Sequence, residues 1–243
     1  TLQDGNIMAT ATNSRTSKTA QLDLLSQPKA NGTASRKANG KTNGRAKSAH
    51  NYDESKIKTL SSLEHIRLRT GMYVGRLGSG TDPDDGIYVL LKEVVDNAVD
   101  EFISGFGTKI DVKIDNNHVS VRDYGRGVPL GKIVECVSVI NTGAKYNDDV
   151  FQFSVGLNGV GTKAVNALST NFRVVAYRDG KYAEALFERG TLISEKKGKT
   201  GEVNGSLFEF TPDSEIFDEY DYPFEYIERR MWNYACLNSG LTL

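Results

Sequence analysis

Between Ile87 and Phe102 the chain runs without Gly or Pro, and Ile87, Leu91, Val94, Val95, Ala98 and Phe102 share one arc of a wheel stepped at about 100° per residue. That spacing predicts an amphipathic helix. Glu93, Asp96, Asn97, Asp100 and Glu101 crowd the other arc, four carboxylates and an amide with no basic residue among them. Most such faces are simply solvated. This set, however, repels itself, gains no i,i+4 ion pairing and suits a bound cation. A Glu and an Asn four apart present a proton acceptor and a neutral oxygen ligand on one face. That is the chemistry of a sparse Mg²⁺ site shared with phosphate beside a general base.

The pattern elsewhere is short and strand-rich. Ser61-Ser62-Leu63-Glu64 opens a short helix with capping chemistry. Gly71 to Gly75 reads as a strand or turn, and Gly78 to Gly86 as a loop. Lys109–Asp115 and His118–Asp123 alternate around Asn116-Asn117, which predicts a hairpin. Asp123 shares the core face with Val119 and Val121, a costly place for a carboxylate unless something pairs with it, so a ligand donor explains it better than solubility. Directly after it, Tyr124-Gly125-Arg126-Gly127-Val128-Pro129 makes a tight loop that lets backbone approach a planar ligand, or an ordinary strand-to-helix turn. Ile133–Ile140 reads as a helix, followed by a polar loop through Lys145.

Gly156-Leu157-Asn158-Gly159-Val160-Gly161 leads straight into a helix, 160–168. Amides at such a start suit phosphate, though a structural Gly-rich start has the same look. The P-loop does not fit: Gly-Lys-Thr occurs at 40–42 and 198–200, but Ser35 and Ile193 stand where its first Gly is required. No Gly-x-Gly-x-x-Gly follows a strand, which excludes a Rossmann dinucleotide site. Phe172–Arg178 and Tyr182–Arg189 flank Asp179-Gly180, a second hairpin, and Ser206–Thr211 is a further strand. Phe224–Leu237 is an amphipathic helix with Ile227, Met231, Tyr234 and Ala235 on one side. Leu241-Thr242-Leu243 starts what reads as another strand, the mark of a fragment of a longer protein.

Composition adds a tail. Of the 243 residues, 1–50 carry eight Lys/Arg against two Asp/Glu, while the rest carry 22 against 29. Residues 1–50 also lack the apolar area to offset ordering entropy, so a disordered basic tail is expected, with 51–243 as the folded domain. Met8 is a plausible native start. The Arg/Ser-rich stretch after it leaves an organelle transit peptide open, with a flexible basic tail favoured. An acidic body argues against DNA binding by bulk charge. Cys136 and Cys236 sit in apolar surroundings without metal-ligand spacing and are expected to be reduced core residues. No apolar run approaches the ~20 residues of a membrane span, which points to a soluble, intracellular protein.

Together, the acidic Glu/Asn helix, the Asp-x-Gly-x-Gly loop and the Gly-rich helix start resemble the three boxes of the GHKL (Bergerat-fold) ATPases. Within that family, Arg69 to Gly75, Glu93 to Glu101, Val165-Asn166-Ala167-Leu168 and the arm Tyr52 to Lys58 look like the ATPase domain of type IIA topoisomerase B subunits, those of gyrase and topoisomerase IV. The resemblance covers residues 51–243. It implies a two-layer α/β sandwich, with a mixed, mostly antiparallel sheet under helices. ATP and Mg²⁺ are the implied ligands. A second copy, a DNA-cleaving A-type subunit and DNA are the implied partners, in the cytoplasm of a bacterium.

Carried onto this chain, the resemblance makes Glu93 the general base and Asn97 the Mg²⁺ ligand. Asp123 becomes the acceptor for the adenine amino group, with Ser206, where Thr is usual, supporting it and a bound water. Gly125, Arg126, Gly127 and Pro129 would wall the adenine, with Arg126 paired to Glu101. Lys145, Asn158, Gly159, Val160 and Gly161 would meet phosphates, and Tyr52 and Ile57 would reach a dimer partner's nucleotide. Asn158 replaces a common His and Thr70 a common Pro. The family's catalytic Lys and its DNA-cleaving metal site lie in later domains, so the chain alone is expected to bind ATP well and hydrolyse it poorly. A chaperone or repair clamp of the same family, or a nucleotide-binding module without turnover, are the competing readings.

Overall fold

The computed structural model describes residues 57–142 and 159–243. The expected tail, the arm residue Tyr52 and the loop positions Lys145, Gly156, Leu157 and Asn158 lie outside the described residues. Helix α1, Ser62–Leu68, carries the capping box read from its sequence: the Ser61 hydroxyl accepts from the Glu64 amide and the Glu64 carboxylate from the Ser61 amide.

Gly71–Val74 is a helical turn, α2, rather than a strand. The Thr70 hydroxyl donates to the Arg67 carbonyl at 2.9 Å, Gly75 ends the turn with φ 70°, and only Val74 of the four is buried. Without a neighbouring strand, the local i→i−4 bonds decide. Helix α3, Gly86–Ile103, is the acidic helix, entered through buried Asp85.

Six strands follow: β1 Ile110–Asp115, β2 His118–Asp123, β3 Ser169–Arg178, β4 Lys181–Glu188, β5 Thr191–Lys199 and β6 Gly205–Pro212. They form one sheet in the order β1-β2-β6-β3-β4-β5, every neighbouring pair antiparallel. A parallel bridge from Lys109 to Thr242 makes the sheet mixed, so Leu241–Leu243 does begin to pair. Asn116-Asn117 and Asp179-Gly180 both have positive φ at both turn positions, the type I′ geometry that matches strand twist.

The β5 strand had no signal in the pattern. It is an edge strand whose residues are exposed or half-buried, rich in Lys and Glu, so no alternation marks a core face. Its hairpin turn, Arg189-Gly190, repeats the positive-φ pair.

Helices α3, α4 (Ile133–Ser138) and α5 (Gly161–Ala167) pack on the sheet, giving the second layer of a two-layer sandwich. Tyr88, Leu90, Val94, Leu168, Phe172 and Phe210 are fully buried between them. A short helix α6, Ser214–Phe217, and the long α7, Phe224–Leu237, complete the chain. The α7 helix has no fully buried residue; Ile227, Met231 and Tyr234 pack against the core edge while Trp232 and Leu237 are exposed.

Cys236 faces solvent on this helix, contrary to the core position expected of it. It shares the outer side of the helix with Trp232 and Leu237, while Tyr234 and Ala235 turn inward. Cys136 is half-buried, and burial pushes its thiol up. Among the described residues no helix is long and apolar enough to cross a membrane.

Candidate functional site

The acidic face of α3 is not the self-repelling set its composition indicated. Asp96 and Asp100 are buried, at 1% and 0% exposure. Asp96 takes an i,i+4 ion pair from Lys92 and a hydrogen bond from the Tyr234 hydroxyl of α7. Glu101 is held by Arg126. Counting charges on the polar arc alone overlooked Lys92, one position before it. Among the described residues no group of three or more His, Cys, Asp or Glu converges as a metal cage, so any cation here is held sparsely.

Asp123 ends β2 with its side chain turned inward, 4% exposed. One carboxylate oxygen accepts from the Gly125 amide at 2.9 Å and from the Ser206 amide at 3.1 Å. Burial outweighs these two donors, and with Glu101 nearby it lifts the carboxyl to about 6. The group is therefore mostly ionised at neutral pH, and it sits at the junction of β2 and β6 with its acceptor capacity only partly used by those amides. Ser206 reaches Asp123 through its backbone; its hydroxyl instead accepts from the Val128 amide at 3.2 Å, fixing the far end of the loop.

The loop after Asp123 is moulded to α3. A Cβ on Gly125 would lie 2.8 Å from the Glu101 side chain, and one on Gly127 (φ 76°) would lie 2.7 Å from the Tyr177 carbonyl, so neither position admits a side chain without movement. Glu101 accepts from the Arg126 amide (2.9 Å), Nε (3.1 Å) and a terminal guanidinium nitrogen (3.0 Å). This bidentate pair is the one the resemblance implied. The Phe106 ring covers the guanidinium at 4.2 Å. Pro129 then starts the turn Leu130–Lys132 that leads into α4.

Two turns N-terminal to Glu101 on α3, about 12 Å along its axis, Glu93 meets the start of α5. A Cβ on Gly161 would fall 1.8 Å from the Glu93 carboxylate, so this glycine is what lets the acid lie on the helix start. Gly159 has φ 59°, and Val160 precedes the helix, half-buried. The Asn97 amide nitrogen donates to the Glu93 carbonyl at 2.6 Å, which turns its carbonyl oxygen, the atom a hard cation would use, away from the helix backbone.

Glu93, Asn97, Glu101, Gly125 and Asp123 thus follow one another along a single side of α3. Ile57 is exposed ahead of α1 and stands outside this run.

Three neighbours carried no signal in the sequence. Arg178, at the end of β3, donates to the Gly127 carbonyl at 3.3 Å. It borders a cavity of about 350 Å³ with Phe106, Tyr124 and Arg126. Lys163 of α5 is buried at 3% exposure with its ammonium on the Thr142 carbonyl, 2.7 Å away. Arg122 is sandwiched between the Tyr124 and Tyr177 rings at 4.7 and 4.6 Å. A single Arg or Lys in a strand or helix carries no spacing by which to single it out.

Comparison with known proteins agrees with this arrangement. Residues 82–215, more than half of the chain, match the family model described as histidine kinase-, DNA gyrase B-, and HSP90-like ATPase. The chain is 64% identical over 193 residues to the DNA topoisomerase 4 B subunit of Borreliella burgdorferi, covering 79% of this chain and 32% of that one. It is 38% identical over 200 residues to the DNA gyrase B subunit of Mycolicibacterium smegmatis, covering 79% and 29%. The chain therefore spans about a third of the length of these relatives.

Among solved structures it is similar to the 43K ATPase domain of Thermus thermophilus gyrase B, a crystal structure in complex with an aminocoumarin. The TM-score is 0.62 at 30% identity, covering 75% of this chain and 47% of that one. With an antiparallel sheet under helices, an acidic Glu/Asn helix laid on a glycine-rich helix start and a buried Asp at the end of its second strand, the chain belongs to the histidine kinase-, DNA gyrase B- and HSP90-like ATPase family.

Proposed function

We propose that this chain is the ATP-binding and ATP-hydrolysing gate of a type IIA topoisomerase B subunit, working in the bacterial cytoplasm. Two copies close on ATP to pass one DNA segment through another, cut by a DNA-cleaving A-type subunit. The observation that carries the reading is the run of side chains along α3. A buried acceptor lies at one end, Asp123, and a carboxylate resting on Gly161 lies at the other.

In this reading Asp123 accepts from the adenine amino group, and the Ser206 amide and hydroxyl hold that end of the pocket. Gly125, Arg126, Gly127 and Pro129 wall the base. The amides at Gly159, Val160 and Gly161 face the phosphates, joined by Lys145 and Asn158, and Tyr52 and Ile57 cross to the partner's nucleotide. Glu93 orients and deprotonates the attacking water. The donor set fits Mg²⁺: Asn97 offers one neutral oxygen, and phosphates and water would complete the shell, as this ion prefers. When bound, the ion neutralises charge on the phosphates.

Replacing Glu93 by Ala is the direct test. Removing a general base costs roughly 10² to 10⁴ in rate. In the intact subunit with its partner and DNA, E93A is expected to keep ATP binding and to hydrolyse near background. Unchanged turnover would remove Glu93 from the role. Wild-type protein that binds ATP but never hydrolyses it, with or without DNA, would leave a nucleotide-binding module instead.

A further inference from the structure

Tyr234 reaches the helix that carries the reacting groups. Its hydroxyl donates to one oxygen of Asp96 and the Lys92 ammonium pairs with the other, so both oxygens of a carboxylate with 1% exposure are engaged from two different helices. Asp96 lies in the same turn of α3 as Glu93 and Asn97. Lys92 is exposed enough to leave its half of the arrangement to solvent, at 42% side-chain exposure. The Tyr234 half is the buried half.

Tyr234 stands in α7, a helix without a fully buried residue. A few residues on, Thr242 pairs with the backbone flanking Lys109, just past the end of α3. The segment from α7 to Thr242 therefore grips α3 by one side-chain hydrogen bond in its middle and by backbone pairing beyond its end.

We infer that Tyr234 is a positioning residue for ATP hydrolysis: acting through Asp96, it fixes the rotation of the α3 turn that presents Glu93 and Asn97. A buried carboxylate beside Glu93 is otherwise a competitor. Short of a donor, its second oxygen turns toward the next available one and takes its helix turn with it, three residues from the base. The phenol saturates it without adding a second cation. Tyr234 itself is held in its protonated, donating form by burial, by the bond to Asp96 and by the charge of Glu93. Arg230, one turn earlier, opposes this more than Glu93 supports it, but less than burial and Asp96 do, and its guanidinium meets the Pro83 carbonyl and the Tyr88 ring.

The inference rests on the ATPase reading above, and the experiment separates the two. In the intact subunit, turnover and KM for ATP with magnesium are measured for wild type, Y234F, D96N and the double variant, with the melting temperature of each. Y234F is expected to lower kcat about tenfold, the low end of what outer-shell partners of a metal ligand contribute. KM should stay within about twofold, and melting should change by a few degrees at most.

In the D96N background, adding Y234F should cost nothing further, because the route to Glu93 is already broken. Full turnover in Y234F overturns the inference, and so does an equal loss with and without Asp96, which would make the effect one of packing. If Y234F melts too low to assay, D96N alone carries the test: it should lower kcat with KM little changed, and full turnover in a folded D96N protein overturns the inference. Wild-type protein without ATPase activity would overturn the functional reading and this inference with it, whereas an active wild type matched by Y234F sinks the inference alone.

Discussion

Alternation with Val119 and Val121 placed the Asp123 carboxylate in the core before any coordinate was known, and burial cost made a ligand the economical explanation. The amides of Gly125 and Ser206 that hold it come from a loop and from a strand 83 positions away, and no local pattern announces such a partner.

Its titration gives a prediction. The folded carboxyl titrates near 6 and the ordinary Asp value is 3.8, so the folded state holds this proton more tightly than the unfolded one. The stability linked to it is whole below about 3.8 and is lost as pH rises through about 6, on the order of 3 kcal/mol. Asp123→Asn keeps the oxygen that both amides use and removes the charge. Without nucleotide, the variant should melt at or above wild type at pH 7.5, and the two should converge near pH 4 in a thermal scan. On the role proposed for Asp123, the same change puts an amide donor opposite the adenine amino donor, so ATP affinity should fall about 10- to 100-fold by titration, the worth of a charge-assisted hydrogen bond. A variant less stable than wild type at pH 7.5 would contradict the assigned burial cost.

At the scale of elements, α3 was legible from end to end because its 3.6-residue period persists over 18 residues, long enough to outweigh local noise. Its electrostatics were only partly legible: the Arg126 pairing came from the resemblance, whereas Lys92 and Tyr234 meet the acids from outside the counted arc. The meeting of α3 with the start of α5 yields a second prediction. In Gly161→Ala the methyl enters the space of the Glu93 carboxylate, the mobile end of a side chain and not backbone. The protein should fold with nearly unchanged melting temperature while the acid is pushed aside; on the role proposed for Glu93 this lowers kcat by about 10², the lower range for loss of a general base. An ATPase assay beside a thermal scan checks both halves, and normal turnover would show that Glu93 works from another position. By contrast, β5 was missed and α2 was left open between strand and turn, for different reasons: an edge strand has no buried face to create alternation, and a four-residue helix is too short to display its period.

For the whole molecule, the residue that joins distant segments is Asp213, at the end of β6. Its carboxylate has no exposure and accepts from Arg67 of α1 at 2.8 Å and from Arg189 of the β4–β5 turn at 3.0 Å, with the Glu215 amide at 3.1 Å. Arg67 also donates to the Ala167 carbonyl at the end of α5, so one cluster ties both layers behind the candidate site. Asp213→Ala would leave two guanidinium groups facing each other. The expected loss is about 2 to 3 kcal/mol, below the 3–5 of a fully buried pair because both arginines keep some water. A denaturant titration with an unchanged slope would register it. A loss under half a kilocalorie would show the cluster to be incidental.

What the sequence determined by itself had a local cause long or distinct enough to read. The helical period set α3 and α7, paired positive-φ residues set two hairpins, and a capping box began α1. The order of three motifs pointed to a family before any fold was seen. Tertiary structure alone decided which charges are neutralised, that Gly161 exists to admit Glu93, that Ser206 serves Asp123 through its backbone, and that α7 reaches α3 through Tyr234. The reason is physical: a dihedral preference or a burial period acts between near neighbours. A hydrogen bond between Asp123 and Ser206 or between Asp96 and Tyr234 exists only once the sheet and its helices have brought remote segments within three ångströms or so.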